Sequence, residues 1–123
     1  MANIKRINLF ADMELDYWVG TKHLPREIAG AIKGKTIKTV FDTYPVWVNE
    51  KLPLLEREFT MSNRPSLEEL ASKMLGVLKT FYDEYEPQDG TNGVEVLHNW
   101  YDLSLEGISI DLDTLEVDMA IGS

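Results

Sequence analysis

The residues best placed to do chemistry stand near the end of the chain, where Asp111, Asp113, Glu116 and Asp118 bring four carboxylates together. Paired carboxylates can divide acid and base roles, but only where unequal desolvation splits their pKa values. Asp111 and Glu116 fall on a hairpin face open to water, which supplies no such desolvation, so no catalytic residue is expected. The D-x-D-x-x-E-x-D order lacks the central Gly and the ligand spacing of a calcium loop, and no metal site is expected either. The chain has no Cys, which removes thiol nucleophiles, thiolate zinc sites and disulfides. It shows no G-x-S-x-G, no H-E-x-x-H and no nucleotide fingerprint. Gly30–Thr36 reads G-A-I-K-G-K-T, but a phosphate loop needs four residues between its glycines, with a strand before and a helix after. Here there are three, the flanks pattern as strands, and that reading is rejected. Of the two His, His98 beside Trp100 reads as packed or half-exposed rather than as a base. The expectation is a protein that is not an enzyme and takes no cofactor.

Binding is the chemistry that remains. The formal net charge is −9, unevenly spread: residues 1–60 carry nine Lys or Arg against eight Asp or Glu, and residues 61–123 carry three against thirteen. A block of one sign is commonly a solvated face; it also steers a partner of the opposite sign. Direct nucleic-acid binding is not expected, because neutralising phosphates needs a surplus of Lys and Arg. Trp18, among Asp12, Glu14 and Asp16, either lies under another element or is an aromatic anchor in a binding patch. The candidate partner-binding residues are therefore Trp18, Asp111, Asp113, Glu116 and Asp118.

The elements that must position them follow from periodicity. Ile108, Ile110 and Leu112 alternate with Ser109, Asp111 and Asp113, and Leu115, Val117, Met119 and Ile121 alternate with Glu116 and Asp118. A reversal at Asp113–Thr114 pairs Ile110 with Val117 and Asp111 with Glu116, giving a greasy face and an acidic one. Facing like charges need relief from neighbouring Lys side chains, solvent or a partner. A helix must cover the greasy face. Leu67, Leu70, Ala71, Met74, Leu78, Phe81 and Tyr85 recur at steps of three and four, Ser66 and Glu69 form S-x-x-E at the start, and Pro87 ends the helix at or before Glu86. Asp83, Glu84 and Glu86 in its last turn oppose the macrodipole, so that turn either frays or meets a cation.

Elsewhere the pattern predicts strands at Asn3–Ala11 and Met13–Gly20, a loop at Thr21–Pro25, and a hairpin of Glu27–Ile32 with Lys35–Thr43 turning near Lys33–Gly34. Lys22, Arg26, Lys33, Lys35 and Lys38, with His23, then read as edge-strand cations that discourage association. Tyr44–Phe59 reads as a turn followed by a helix from near Leu52, since Pro53 breaks a longer one. Val94, Leu97, His98 and Tyr101 have helical spacing, so residues 94–103 read as a helix in preference to a strand, although Val96 and Trp100 also fit a strand. The fold class expected is a single α+β domain over residues 1–123: an antiparallel sheet of about five strands with one long helix and one or two shorter helices packed on it. No apolar run is long enough for a membrane span, and the N-terminal Met-Ala-Asn-Ile-Lys-Arg lacks the apolar core of a signal peptide. A cytoplasmic location is expected.

A strand ending L-D-Y-W-V-G, a short basic hairpin, two helices and a closing I-S-I-D-L-D-T-L-E-V hairpin resemble, as an order of elements, small bacterial α+β domains found among immunity proteins of polymorphic toxin systems. The resemblance implies a stoichiometric, often acidic, binder that blocks a toxin. The functional expectation is an immunity- or inhibitor-type protein that neutralises a basic protein partner through an acidic surface. Two alternatives stay open: a nucleic-acid-mimicking counter-defence protein of a phage or mobile element, and a structural homo-oligomeric subunit, with a homodimer held by a sheet edge as its simplest form.

Overall fold

The computed structural model describes residues 4–12, 17–20, 24–41, 44–49 and 55–122, and the side chains of these except at 8–12, 17–20 and 101. Helix α2 (Leu67–Glu84) is the element around which the rest packs. Ser66 takes an extended conformation and its hydroxyl accepts from the Glu69 N–H at 3.1 Å, which fixes the first turn. The Glu69 carboxylate does not complete the reciprocal box. It reaches back to Ser62, accepting from that residue's N–H at 3.0 Å and hydroxyl at 2.8 Å. Leu67, Leu70, Ala71, Met74, Leu78, Phe81 and Tyr82 form the buried stripe. Tyr82 rather than Tyr85 closes it, because Tyr82 points its hydroxyl inward to the His98 carbonyl, 3.1 Å away.

The stripe covers one face of a six-stranded sheet in the order β2-β1-β7-β8-β3-β5. The strands are β1 (Ile4–Asp12), β2 (Tyr17–Gly20), β3 (Thr36–Phe41), β5 (Leu55–Thr60), β7 (Ser104–Asp111) and β8 (Glu116–Gly122). Alternation turns Ile7, Ile37, Phe41, Ile108, Ile110 and Val117 toward α2, all buried. Phe41 and Phe81 stack with ring centroids 4.3 Å apart. The sheet is not purely antiparallel. Chain order brings β3 beside β8 as a parallel pair, with Lys38 opposite Glu116 and Thr39 opposite Val117.

Three segments differ from the sequence reading. Residues expected to open a basic hairpin form helix α1 (Arg26–Ile32), which buries Ile28 and Ile32. Gly34, at φ +64°, ends it in the left-handed region that glycine occupies without a Cβ penalty, and its N–H donates to the Ser62 carbonyl at 2.9 Å. The cations assigned to an edge therefore disperse: Arg26 opens α1, Lys33 caps it, Lys35 lies in the connection and Lys38 sits within the sheet. Lys22 and His23 lie outside the described residues. The helix expected from Leu52 is instead β5, whose Glu56, Glu58 and Thr60 alternate with the half-buried Leu55, Arg57 and Phe59; Leu52–Leu54 lie outside the described residues. In place of a helix over 94–103 stand strand β6 (Val94–Val96) and a 3-10 turn at Trp100–Asp102. β6 pairs with β4 (Val46–Val48) in a separate two-stranded sheet. Among the described residues no helix is long and apolar enough to cross a membrane.

Candidate binding surface on the open face of the sheet

The β7–β8 hairpin places Ile110 opposite Val117, Asp111 opposite Glu116 and Ser109 opposite Asp118, the register its alternation predicts. Since Ile110 and Val117 are buried against the helix side, Asp111, Glu116 and Asp118 point from the other face, on which neither helix lies. Asp113 is exposed in the connecting turn. The turn is held by Asp111, whose Oδ1 accepts from the N–H groups of Asp113 at 2.9 Å and Thr114 at 3.4 Å. Its half-buried carboxylate thus has one oxygen engaged in local structure, whereas Glu116 and Asp118 are exposed.

The sheet adds carboxylates that the sequence reading missed. On β5, Glu56 and Glu58 share this outer face, opposite Val40 and Lys38. Glu106 is the extra residue of a bulge where Leu105 pairs with Ile121 and Gly107 with Ala120, and its carboxylate lies against Gly122. The signal for Glu56 and Glu58 was their alternation about Arg57, masked by the equally helical spacing of Leu55 and Phe59.

Relief of the facing negative charges is partial. Lys38, from the neighbouring strand, stands opposite Glu116 and pairs with Glu56 at 3.7 Å, and Arg6 stands opposite Ser109 on the same face. Among the described residues, with Asp113 counted at the rim, seven carboxylates (Glu56, Glu58, Glu106, Asp111, Asp113, Glu116 and Asp118) share a surface with Arg6 and Lys38, an excess of five negative charges. Like charges in register cost an isolated pair a few tenths to about 1 kcal/mol, so a cationic partner would relieve a destabilisation that the fold retains. The face also holds a shallow depression lined by Ile4, Ser109, Asp111, Thr114, Glu116 and Asp118. Ile4, opposite Asp111, is 61% exposed and offers an apolar wall beside the carboxylates, a fit for the methylene stem and charged tip of Lys or Arg.

Trp18 lies in edge strand β2, its backbone opposite Ala11. β1 separates it from the carboxylate-bearing strands, and its side chain lies outside the described residues. The expected carboxylates therefore share one surface, while the placement of the Trp18 side chain is not among the described features. Among the described residues no three His, Asp or Glu side chains are grouped to hold a metal ion. His98 is half-buried, its ring edge-on to Tyr44 at 5.4 Å.

The acidic helix end meets a cation. Arg57, from β5, pairs with Glu84 and lies over the Phe81 ring at 5.9 Å, while Lys79 pairs with Asp83 at 3.2 Å. Arg57 also donates to the Glu56 carbonyl, and Lys73 donates to that of Thr60. Met61 N donates to the Lys35 carbonyl, so in antiparallel alternation the main-chain groups of Glu56, Glu58 and Thr60 face away from β3. The two cations thus occupy carbonyls on the outer edge of β5, which hinders a further strand from pairing there.

Comparison with models of known protein families, with curated proteins and with solved structures finds no match for this chain.

Proposed function

We propose that this chain is a non-catalytic binding protein of immunity or inhibitor type, which neutralises a basic protein partner in the cytoplasm through the open face of its sheet. The observation that carries the reading is the concentration of carboxylates from β5, β7 and β8 on the face opposite the helices. A field of one sign accelerates encounter with an oppositely charged protein and rejects like-charged ones. Acid–base catalysis is a poorer fit, because Glu116, Asp118, Glu56 and Glu58 are all open to water and nothing about their exposure splits them into an acid and a base.

The test is charge reversal. Asp111→Lys, Asp113→Lys, Glu116→Lys and Asp118→Lys together should abolish recovery of a basic protein that the wild-type chain captures from its native organism and rebinds when both are pure. Unchanged recovery by the folded variant would remove the proposal.

One observation favours a second reading, the nucleic-acid mimic. Glu56 and Glu58 extend the acidic surface into the otherwise balanced first half of the chain, as an imitation of a phosphate backbone requires. Competition separates the two: a mimic is displaced by duplex DNA from a DNA-binding enzyme, whereas an inhibitor of a basic toxin binds a protein that DNA does not release.

A further inference from the structure

Trp47 and Leu97 are large apolar side chains that stand exposed on the small sheet, at 51% and 49%. Val46 and Val94 turn inward and are buried, so Trp47 on β4 and its partner Glu95 on β6 face outward. The Leu97 N–H donates to the Pro45 carbonyl at 2.9 Å and the Asn49 N–H to that of Gly93 at 2.8 Å. Trp47 and Glu95, midway between, are therefore a hydrogen-bonded pair with Cα atoms about 5.5 Å apart. On its other side Glu95 is bridged by Asp89, at the closer spacing of about 4.5 Å that alternates with the first. Directly opposed residues share a face. Trp47, Glu95 and Asp89 thus form one exposed row across three chain segments, with Leu97 diagonal to the indole.

The molecule already uses this combination of groups once. Lys79 Nζ sits over the Trp100 ring, 5.5 Å from its centroid, and pairs with Asp83 at 3.2 Å, so one ammonium is shared by an indole and a carboxylate. Lys79 is also the last Lys or Arg of the sequence, since residues 80–123 hold eleven Asp or Glu and neither cation. Trp47, Glu95 and Asp89 offer an indole and two carboxylates, and among the described residues neither carboxylate has an ion-pair partner.

We propose that this row is a docking site for an arginine side chain of a protein partner, whose guanidinium stacks on the Trp47 indole and donates to Glu95 and Asp89 while a neighbouring apolar residue rests on Leu97. Arg suits the site better than Lys, because its planar fork can lie on an aromatic face and bond a carboxylate at once. A second copy is a poor occupant: a two-fold contact here would set these carboxylates against their own counterparts, in a chain of net charge −9. The site is separate from the open face of the main sheet and does not depend on the reading of that face. The Val46 and Val94 side chains beneath it join the core that α2 covers.

The experiment titrates the full chain with short capped peptides that carry Leu beside either Arg or its neutral isostere citrulline, followed by NMR. The variants are Trp47→Leu, which keeps an apolar side chain and removes the π face, Glu95→Gln/Asp89→Asn, and Asp111→Lys/Asp118→Lys on the open face. The Arg peptide should shift the Trp47 indole signal, identified by its absence from Trp47→Leu, together with the Leu97 methyls. Trp47→Leu should weaken binding by about two- to fivefold, and Glu95→Gln/Asp89→Asn by about as much. The citrulline peptide should leave the Trp47 and Leu97 signals in place, and Asp111→Lys/Asp118→Lys should leave their response to the Arg peptide unchanged. Citrulline peptide bound as tightly as Arg peptide, or Arg peptide bound equally well by wild type and both row variants, would overturn the site. Shifts lost only with Asp111→Lys/Asp118→Lys would also overturn it, while supporting the open face. A wild-type dimer in analytical ultracentrifugation that Trp47→Leu dissociates would overturn the choice of occupant. The substitutions lie on separate strands at exposed positions, so one variant failing to fold leaves the other to decide.

Discussion

Ser62 joins three elements, and Glu69 holds it there. The Ser62 carbonyl accepts from Gly34 at the end of α1, its residue follows β5, and its N–H and hydroxyl both donate to the Glu69 carboxylate in the first turn of α2. Lys73 Nζ stands 3.1 Å from the same carboxylate. The Ser62 hydroxyl bond, then the Lys73 and Ser62 N–H contacts, hold the Glu69 carboxyl below its ordinary value of 4.5, against an opposing effect of burial. Glu69→Gln preserves the shape and permits two neutral hydrogen bonds to Ser62, since the rotating hydroxyl can accept from the new amide. What it loses is charge assistance, about half the strength of each bond, and an i,i+4 pair worth about 0.3–0.5 kcal/mol. The expected cost is about 1–1.5 kcal/mol at neutral pH, a fall of roughly 0.5–1 M in the urea midpoint for a chain of this size.

The pH dependence of that gap distinguishes this account from a loss of packing. Because the folded-state pKa lies below the unfolded one, the carboxylate's contribution is fully present above about 4.5 and disappears as pH falls through the lower folded value. Urea titrations of wild type and Glu69→Gln should therefore separate at pH ~7 and converge at pH ~2.5, each measured with its own slope. Equal midpoints at neutral pH, or an undiminished gap at low pH, would refute the reasoning.

Other perturbations probe the rest of the frame. Phe81→Ala removes a fully buried ring stacked on Phe41 and tilted against Tyr85, and should cost about 3–5 kcal/mol in chemical denaturation, enough to bring a domain of ordinary stability near unfolding. Arg57→Ala unpairs Glu84 at the acidic end of α2; because both side chains are partly exposed the loss should be about 0.5–1 kcal/mol and should shrink in about 1 M salt. Burial, with Tyr44 nearby, pushes the Tyr82 phenol well above its ordinary value of 10.0, so ultraviolet titration of native wild type and Tyr82→Phe should coincide until alkaline unfolding. Stability tied to the neutral phenol is complete below pH 10 and declines above it, as the unfolded chain ionises first. A native-state tyrosine titrating near 10 that vanishes in the variant would contradict the burial.

Helix α2 and the β7–β8 hairpin were legible because several local signals agree on each. The cap at Ser66 and an apolar stripe over 18 residues leave no strand alternative, and the sign change at Asp113–Thr114 pins the hairpin to one register. The errors share a cause. Ile28 and Ile32 are four apart, as are Leu55 and Phe59, and a step of four satisfies both the helical repeat and the two-residue repeat of a strand. Tertiary context resolves the two pairs oppositely: α1 has Gly34 to stop it and a loop to dock against, while β5 finds β3 as a ladder partner. The parallel β3–β8 pair carries no local signature, since its strands are separated by most of the chain. The placement of Asp111, Asp113, Glu116 and Asp118 on one hairpin was therefore readable, while Glu56 and Glu58 were hidden by a helix assignment.

If the open face meets a cationic molecule, as proposed, the association rate with a purified basic partner, measured against ionic strength, shows it most directly. For wild type the rate should fall by roughly tenfold or more between about 50 and 500 mM salt, with dissociation changing far less. Asp111→Asn, Glu116→Gln and Asp118→Asn combined should flatten that slope. An association rate indifferent to salt, or the same slope in the neutralised variant, would contradict the account.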